Sequence, residues 1–151
     1  MLARTHASVA LALSLFLADR YSLSIYFILT AVLFSLLPDL DTPKSFIGRR
    51  IWPLSWLIKL IVGHRTLFHA VWLWAITIIL VYPLNKAVAL GIGVGYITHL
   101  LLDSLTRSGV QLFFPLAYRI RGPLKTGRIV EGVLFLSTLM IAVFLAVENF
   151  I

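Results

Sequence analysis

Long apolar segments fill this chain and leave little polar sequence between them. Hydrophobic residues make up 60% of the 151 residues, whereas typical globular proteins contain about 45–50%. The apolar segments lie at about residues 7–18, 23–37, 66–81, 87–105 and 129–147. Such segments leave too little polar surface for a soluble fold, but a bilayer accepts apolar helices whose backbone groups bond internally. The sequence therefore predicts an all-α integral membrane protein, a single transmembrane domain over 1–151, with about five transmembrane helices.

One shorter apolar stretch needs separate interpretation. Residues 52–62 are apolar but contain Pro53 and Lys59, and they are too few to cross a hydrocarbon layer of about 30 Å. They predict a short interfacial or re-entrant helix, with a sixth crossing as the alternative.

The first apolar segment ends at Asp19 without a small-residue cleavage site, so we expect no cleaved signal peptide.

The histidines and most acidic residues are expected to share one membrane face. With five crossings, odd-numbered helices begin and even-numbered helices end on the same face. All four histidines fall at those helix ends, as do all acidic residues except Asp19 and Glu148. The set is His6, Asp39, Asp41, His64, His69, His99, Asp103 and Glu131. Each could be an isolated interfacial residue or half of a helix-end ion pair, but ionisable groups at this depth also line wet cavities or bind metals.

The composition of this set favours a metal site. The chain has no cysteine, so only imidazole and carboxylate ligands are available, and these suit Zn²⁺, Mn²⁺ or non-haem iron. We expect a divalent metal, Zn²⁺ first, with one or two ions. The predicted metal ligands are His6, Asp39, His64, His69, His99 and Asp103. Asp41 and Glu131 are the predicted catalytic residues. Asp41, His6 and Glu131 could serve as acid and base or could complete a second metal site.

The excess of basic residues predicts the orientation in the membrane. Of the 13 Lys and Arg residues, all but Arg20 and Lys86 fall on the face with the histidines. The positive-inside rule makes this face cytoplasmic, with the N-terminus inside and the C-terminus outside. Arg65 and Arg107 are the candidate contacts for a substrate phosphate, or they extend to the interface without a ligand. The expected partners are membrane lipids and a small-molecule or lipid phosphoester, with no nucleic acid, and the oligomeric state is open.

Several motifs resemble those of one protein family. They are Thr5-His6, the Leu-Pro-Asp-Leu-Asp motif at 37–41, the His-Arg-Thr-Leu-Phe-His motif at 64–69, the His-Leu-Leu-Leu-Asp-Ser-Leu-Thr motif at 99–106, and residues 109–115 and 127–131. Together they resemble the YdjM-like bacterial inner-membrane proteins, described as LexA-regulated, predicted membrane-bound metal-dependent hydrolases. The resemblance implies a multi-pass protein of the bacterial or archaeal cytoplasmic (inner) membrane and metal-dependent hydrolysis.

These observations lead to one main hypothesis about function. The chain is expected to hydrolyse a phosphoester, such as a lipid phosphate or a phospholipid headgroup, with a metal-activated water. The alternative is a metal-binding membrane protein without hydrolytic activity, such as a transporter or a sensor. A third interpretation is a structural membrane protein in which the polar residues form ion pairs at helix ends.

Overall fold

The computed structural model of the chain describes residues 1–43, 45–62 and 67–150, and the side chains of all of these except Val62, Asn149 and Phe150. The described residues form α1 (Ala3–Tyr21), α2 (Ile25–Phe34), α3 (Trp52–Val62), α4 (Val71–Val81), α5 (Lys86–Ser104) and α6 (Ile129–Phe150). Two 3₁₀ helices, Leu37–Asp41 and Leu67–His69, follow α2 and precede α4. No β-strand occurs in these ranges, so the all-helical prediction is confirmed.

The second apolar segment ends as an α-helix earlier than predicted. α2 stops at Phe34, whereas the hydropathy pattern extended it to residue 37. The residue before a proline is disfavoured in the α conformation, and proline has no N–H to continue the helix. Approaching Pro38, the chain therefore changes to the 3₁₀ helix Leu37–Asp41, which carries Asp39 and Asp41.

The helix that follows the histidine motif begins later than predicted. An apolar helix that starts at about residue 66 would have His69 about one turn inside it, and this prediction is wrong, because α4 begins at Val71 and His69 ends a 3₁₀ helix. Contacts from distant residues fix the backbone here. The Tyr96 hydroxyl donates to the His69 carbonyl at 2.8 Å, and the Val71 N–H donates to the Leu112 carbonyl at 2.9 Å.

Glycines allow α5 to pack closely on α2. A Cβ atom at Gly95 would lie 2.2 Å from the Ala31 carbonyl oxygen, and one at Gly91 would lie 1.9 Å from Thr30 Oγ1. At Gly93 it would lie 3.5 Å from an Ile78 methyl group, an ordinary contact. Small residues allow close helix packing in membranes, and here Gly91 and Gly95 have this role whereas Gly93 does not.

Two groups of buried apolar side chains hold the helices together. One lies between α1, α2 and α6 and is centred on Leu15, Phe27 and Ile28. The other lies between α4, α5 and the segment that follows α5, and it includes Trp74, Tyr96 and Val110. The second group supports the backbone around His69, since Trp74 donates to the Phe68 carbonyl at 2.7 Å.

The segment between α5 and α6 folds back onto the end of α5. Isolated bridges join Thr106 to Leu124 and Val110 to Ile120. Trp72 of α4 donates from its indole nitrogen to the Phe114 carbonyl at 2.7 Å. This segment therefore forms a cap that links the end of α5 to the start of α4.

Two described helices are long and apolar enough to cross a bilayer by themselves. They are Lys86–Ser104, with 56% of its span buried within the protein, and Ile129–Glu148, with only 11% buried. The apolar helices Trp52–Ile61 and Val71–Val81 are shorter. The short helix predicted at 52–62 is present as α3, while the count of about five crossings stays a prediction.

Candidate metal centre

The ends of four helices bring polar side chains together at one end of the bundle. His6 lies near the start of α1, and Asp39 lies in the 3₁₀ helix after α2. His69 precedes α4, and His99 and Asp103 lie in the last turns of α5. Residues four apart share one face of a helix, so α5 presents both of its polar side chains to the same point.

Four of these residues form a compact set of cation ligands. One ligand atom from each of Asp39, His69, His99 and Asp103 lies within 4.8 Å of the others. The Nε2 atoms of the two histidines are 3.2 Å apart, and each lies 3.9 Å from Asp103 Oδ2. Asp39 is partly exposed and the other three are buried. This buried cluster could hold a metal ion.

The outer nitrogen of each histidine faces a fixed oxygen. His99 Nδ1 donates to the Ser35 carbonyl at 2.7 Å, so its neutral ring carries the lone pair on Nε2, inside the cluster. His69 Nδ1 lies 3.9 Å from Asp41 Oδ2. Histidine ligands of metals usually have such a carbonyl or carboxylate partner, which fixes the tautomer and the ring orientation. The His99 ring is therefore held with Nε2 toward the common point, and the Asp41 carboxylate lies on the outer side of His69 at ion-pair distance.

His6 lies against this set without a hydrogen bond of its own. Its ring stacks on His99 with 4.1 Å between centroids and 16° between planes. Its Nε2 lies 3.4 Å from Asp103 Oδ1, and neither ring nitrogen has a hydrogen-bond partner among the described residues. The Met1 nitrogen is also bonded to Asp103 Oδ1. A buried polar group without a hydrogen-bond partner is destabilising. A cation bound to a nitrogen of this ring would remove that cost.

The donor chemistry agrees with that of a divalent cation. Buried carboxylates are costly in isolation and are found paired or bound to metals. Imidazole and carboxylate ligands without thiolate suit zinc, manganese or non-haem iron. The residues present therefore fit the kind of ion that the sequence predicts.

The two residues predicted as acid and base have different surroundings. Asp41 is buried beside His69, and its Oδ1 accepts from Thr42 Oγ1 at 3.1 Å. Glu131 Oε1 accepts from the Leu2 N–H at 2.5 Å and from Thr5 Oγ1 at 3.3 Å. Its Oε2 accepts from the Gly127 N–H at 2.5 Å. Glu131 thus joins the start of α6 to the start of α1, while Asp41 contacts the histidine cluster directly.

The predicted phosphate contacts lie outside this cluster or outside the described residues. Arg107 is exposed, and its Nε donates to the Pro123 carbonyl at 3.2 Å. This bond fixes part of the guanidinium group to the segment after α5. His64 and Arg65 lie outside the described residues, so both remain predictions from the sequence.

Two residues that orient the histidines were not predicted from the sequence. Tyr96 lies three residues before His99 on α5, so helical spacing could have suggested a shared face. Its hydroxyl instead reaches the backbone of His69. Ser35 acts through its carbonyl group, which any residue would supply, and no sequence signal marks it.

Comparison with known proteins gives a family match over nearly the whole chain. The sequence model of the YdjM inner membrane protein family matches residues 1–150. The uncharacterized protein YvsG of Bacillus subtilis (strain 168) is 36% identical over 101 residues, which are 64% of this chain and 63% of that protein. The inner membrane protein YdjM of Escherichia coli (strain K12) is 41% identical over 102 residues, 63% of this chain and 52% of that protein.

Each match to these relatives thus leaves more than a third of the relative's own length uncovered. No solved structure matches the chain at a significant level. The family match nevertheless extends from the first helix through the last and includes every residue of the candidate metal centre. The chain therefore belongs to the YdjM inner membrane protein family.

Proposed function

We propose that the chain is a membrane-embedded, metal-dependent hydrolase of phosphoesters, such as lipid phosphates or phospholipid headgroups. The observation that carries the proposal is the grouping of Asp39, His69, His99 and Asp103, whose ligand atoms lie within 4.8 Å of one another. His99 is oriented by a hydrogen bond from its outer nitrogen, and a carboxylate lies beside the outer nitrogen of His69. This degree of orientation is expected of metal ligands and is not needed for isolated helix-end ion pairs.

The proposed metal is Zn²⁺, with Mn²⁺ or iron as alternatives for the same ligands. A bound divalent ion would supply a Lewis acid and lower the pKa of a water molecule enough for it to act as a nucleophile near neutral pH. The protein would hold this ion through two imidazole nitrogens and two carboxylates. Asp39 alone among them is partly exposed, so its side is where solvent reaches the cluster.

The surrounding residues suggest how a substrate would be held. A phosphoester is the proposed substrate class because basic residues are concentrated at the same helix ends as the cluster in the sequence. Arg65 and Arg107 are proposed to bind phosphate oxygens. Asp41, beside His69, would hold that histidine's outer nitrogen and accept a proton during turnover. Both oxygens of Glu131 accept hydrogen bonds from backbone N–H groups. For Glu131 to act in proton transfer, one of these bonds would have to break and the freed oxygen would have to contact the substrate.

We also propose a multi-pass arrangement in a cytoplasmic membrane, with the cluster and N-terminus facing the cytoplasm and the C-terminus outside. The excess of Lys and Arg at the helix ends that carry the cluster supports this orientation. A site at this depth would lie near the phosphate groups of lipids in the inner leaflet, which supports lipid phosphoesters as substrates.

Hydrolysis should be tested with detergent-purified protein supplied with Zn²⁺ or Mn²⁺. Release of inorganic phosphate from phosphatidic acid would be compared with release of the headgroup from phosphatidylglycerol, with and without a chelator. We expect metal-dependent turnover of one lipid class, lost in His69→Ala and Asp103→Asn and retained in Ser14→Ala. Ser14 is a buried polar residue of α1 whose hydroxyl donates to the Leu11 carbonyl of its own helix, so it is a matched control.

The same experiment separates the proposal from the alternative function. Stoichiometric metal binding that depends on His69 and Asp103, without turnover of any phosphoester, would overturn the hydrolase and favour a metal-binding protein that transports or senses the ion. Absence of metal from wild-type protein, with stability unaffected by a chelator, would remove the metal centre itself.

A further inference from the structure

We propose a second cation position beside the first, held by His6 and by Oδ1 of Asp103, so that Asp103 bridges two metal ions. This inference rests on the proposed metal centre, which by itself needs only Asp39, His69, His99 and Asp103. It assigns a role to His6, a buried ring that lies against that set without belonging to it.

The orientations of the rings decide which histidines can share one ion. The lone pair of an imidazole nitrogen lies in the plane of the ring, and a bound zinc ion lies about 2.0–2.1 Å from the nitrogen. The planes of His69 and His99 cross at 63°, and their Nε2 atoms are 3.2 Å apart. Because the planes are steeply inclined and the two Nε2 atoms are close together, the lone pairs of both rings could be directed to one ion.

His6 and His99 cannot share an ion in this way. Their planes differ by only 16°, and the rings are stacked with centroids 4.1 Å apart. Nearly parallel planes at this spacing do not meet within a metal–nitrogen bond length of both rings. An ion bound by His99 therefore lies out of the plane of His6, and the His6 lone pair is directed to a different position.

Asp103 connects the two positions through its two carboxylate oxygens. Oδ2 faces His69 and His99 at 3.9 Å each, whereas Oδ1 faces His6 Nε2 at 3.4 Å. Two-metal hydrolytic sites hold their ions about 3.5–4 Å apart, a spacing that one bridging carboxylate can span. The Met1 ammonium forms an ion pair with the same Oδ1, so a cation at the second position would have to displace it from that oxygen.

The burial of His6 supports a ligand at this place. The side chain has 0% exposed surface, and neither of its nitrogens has a hydrogen-bond partner in the described part of the chain. Because an unpaired buried imidazole destabilises a fold, a partner for Nε2 is expected. A cation at the second position would accept the lone pair of His6 Nε2.

The number of bound ions tests the proposal directly. Purified protein would be saturated with Zn²⁺, freed of excess ion and analysed for zinc per chain. We expect two ions in wild type, one in His6→Phe and two in the control Ser14→Ala. Phenylalanine keeps a ring against His99 but has no nitrogen, so it removes the ligand with little change in shape. His69→Ala should disrupt the first position.

The outcomes separate this proposal from the proposed function. One ion in wild type that is lost in His69→Ala would overturn the second position and leave the first in place. Two ions in both wild type and His6→Phe would also overturn the assignment to His6. No ion in wild type would overturn both the second position and the metal centre on which it rests.

A spectroscopic measurement on wild type covers the case in which His6→Phe does not fold. Protein loaded with Mn²⁺ would be examined by electron paramagnetic resonance. Two ions bridged by one carboxylate should give an exchange-coupled multiline signal, and this would support the bridge. The six-line signal of isolated Mn²⁺ ions at saturation would overturn it.

Discussion

Individual side chains in this protein differ in whether they would touch a metal or hold the residues that do. His99 and His69 each direct Nε2 inward and turn Nδ1 to an oxygen, from Ser35 in one case and Asp41 in the other. Such outer partners typically contribute a factor of about 10–100 in metal affinity. Asp41, which the sequence suggested as a catalytic residue, is thus also a candidate for orienting His69.

We predict that Asp41→Asn weakens Zn²⁺ binding about 10- to 100-fold without changing the number of ions bound. The amide has no negative charge to hold the outer nitrogen of His69. A competition titration against a chromophoric chelator would measure the affinity. Asp19→Asn is the control, because Asp19 is exposed on the last turn of α1, far along the helix from His6. Loss of a whole ion from Asp41→Asn would instead make Asp41 a ligand.

Glu131 is expected to contribute mainly to stability. Its two oxygens accept from Leu2, Thr5 and Gly127, and in Glu131→Gln an NH₂ group would face one of these donors. We predict a loss of about 1–3 kcal/mol in the free energy of unfolding, measured by tryptophan fluorescence in mixed micelles. The exposed Glu148→Gln should change little. Unchanged stability together with loss of one limb of the pH–rate profile would restore the sequence-based role in proton transfer.

At the scale of helices, the packing of α2 on α5 positions the cluster. Ser35 and Asp39 follow α2 directly, and His99 and Asp103 lie on α5. The distance between these helices therefore sets how closely the ligands approach. The close approach depends on Gly95, which faces the Ala31 carbonyl and the Ser35 nitrogen.

We predict that Gly95→Ala lowers both stability and metal affinity. The new Cβ would lie 2.2 Å from the Ala31 carbonyl oxygen, so the helices must separate, with an expected loss of at least about 1–3 kcal/mol. Gly93→Ala is a control two residues away, where the nearest atom would lie at 3.5 Å. There alanine's helix propensity should make the change neutral or stabilising by up to about 1 kcal/mol. Equal effects of both substitutions on thermal unfolding and Zn²⁺ affinity would contradict the argument.

The helices were predictable from local sequence to different extents. Apolar runs and the polar residues between them predicted the six α-helices of the described residues. Such predictions are possible because hydropathy and proline affect the backbone of the segment in which they occur. The late start of α4 was not predictable, since it depends on contacts of Tyr96 and Leu112 with the backbone around His69 and Val71. Alternating helix direction predicted that His6, Asp39, His69, His99 and Asp103 lie at one end of the helices, and the structure groups the last four and stacks His6 on His99. The ring orientations depend on distant partners and needed the structure.

For the whole molecule, the exposure of α6 agrees with a lipid environment. Only 11% of its apolar span is buried within the protein, and side chains such as Met140 and Phe144 are exposed. In water, an apolar surface of this length would favour aggregation. The chain belongs to a family of inner membrane proteins, and a lipid bilayer is an environment in which such an apolar surface is stable.

The proposed orientation can be tested with single cysteines, because the natural chain has none. Leu84 lies in the turn between α4 and α5 and is 84% exposed, and Lys125 is exposed in the segment after α5. In intact cells, a membrane-impermeant maleimide should label Leu84→Cys and not Lys125→Cys. After the membrane is permeabilised, both should react. The reverse pattern in intact cells would invert the proposed topology.

The assembly of the cluster from separate helix ends also constrains its biosynthesis. His6 leaves the ribosome early, but the carboxylate it faces, Asp103, is synthesised only after α1 to α4 and most of α5. No single helix supplies more than two of the clustered ligands. Nascent chains that lack α5 therefore have no complete cation site. Binding of the proposed metal ion would therefore have to follow the synthesis and folding of that helix.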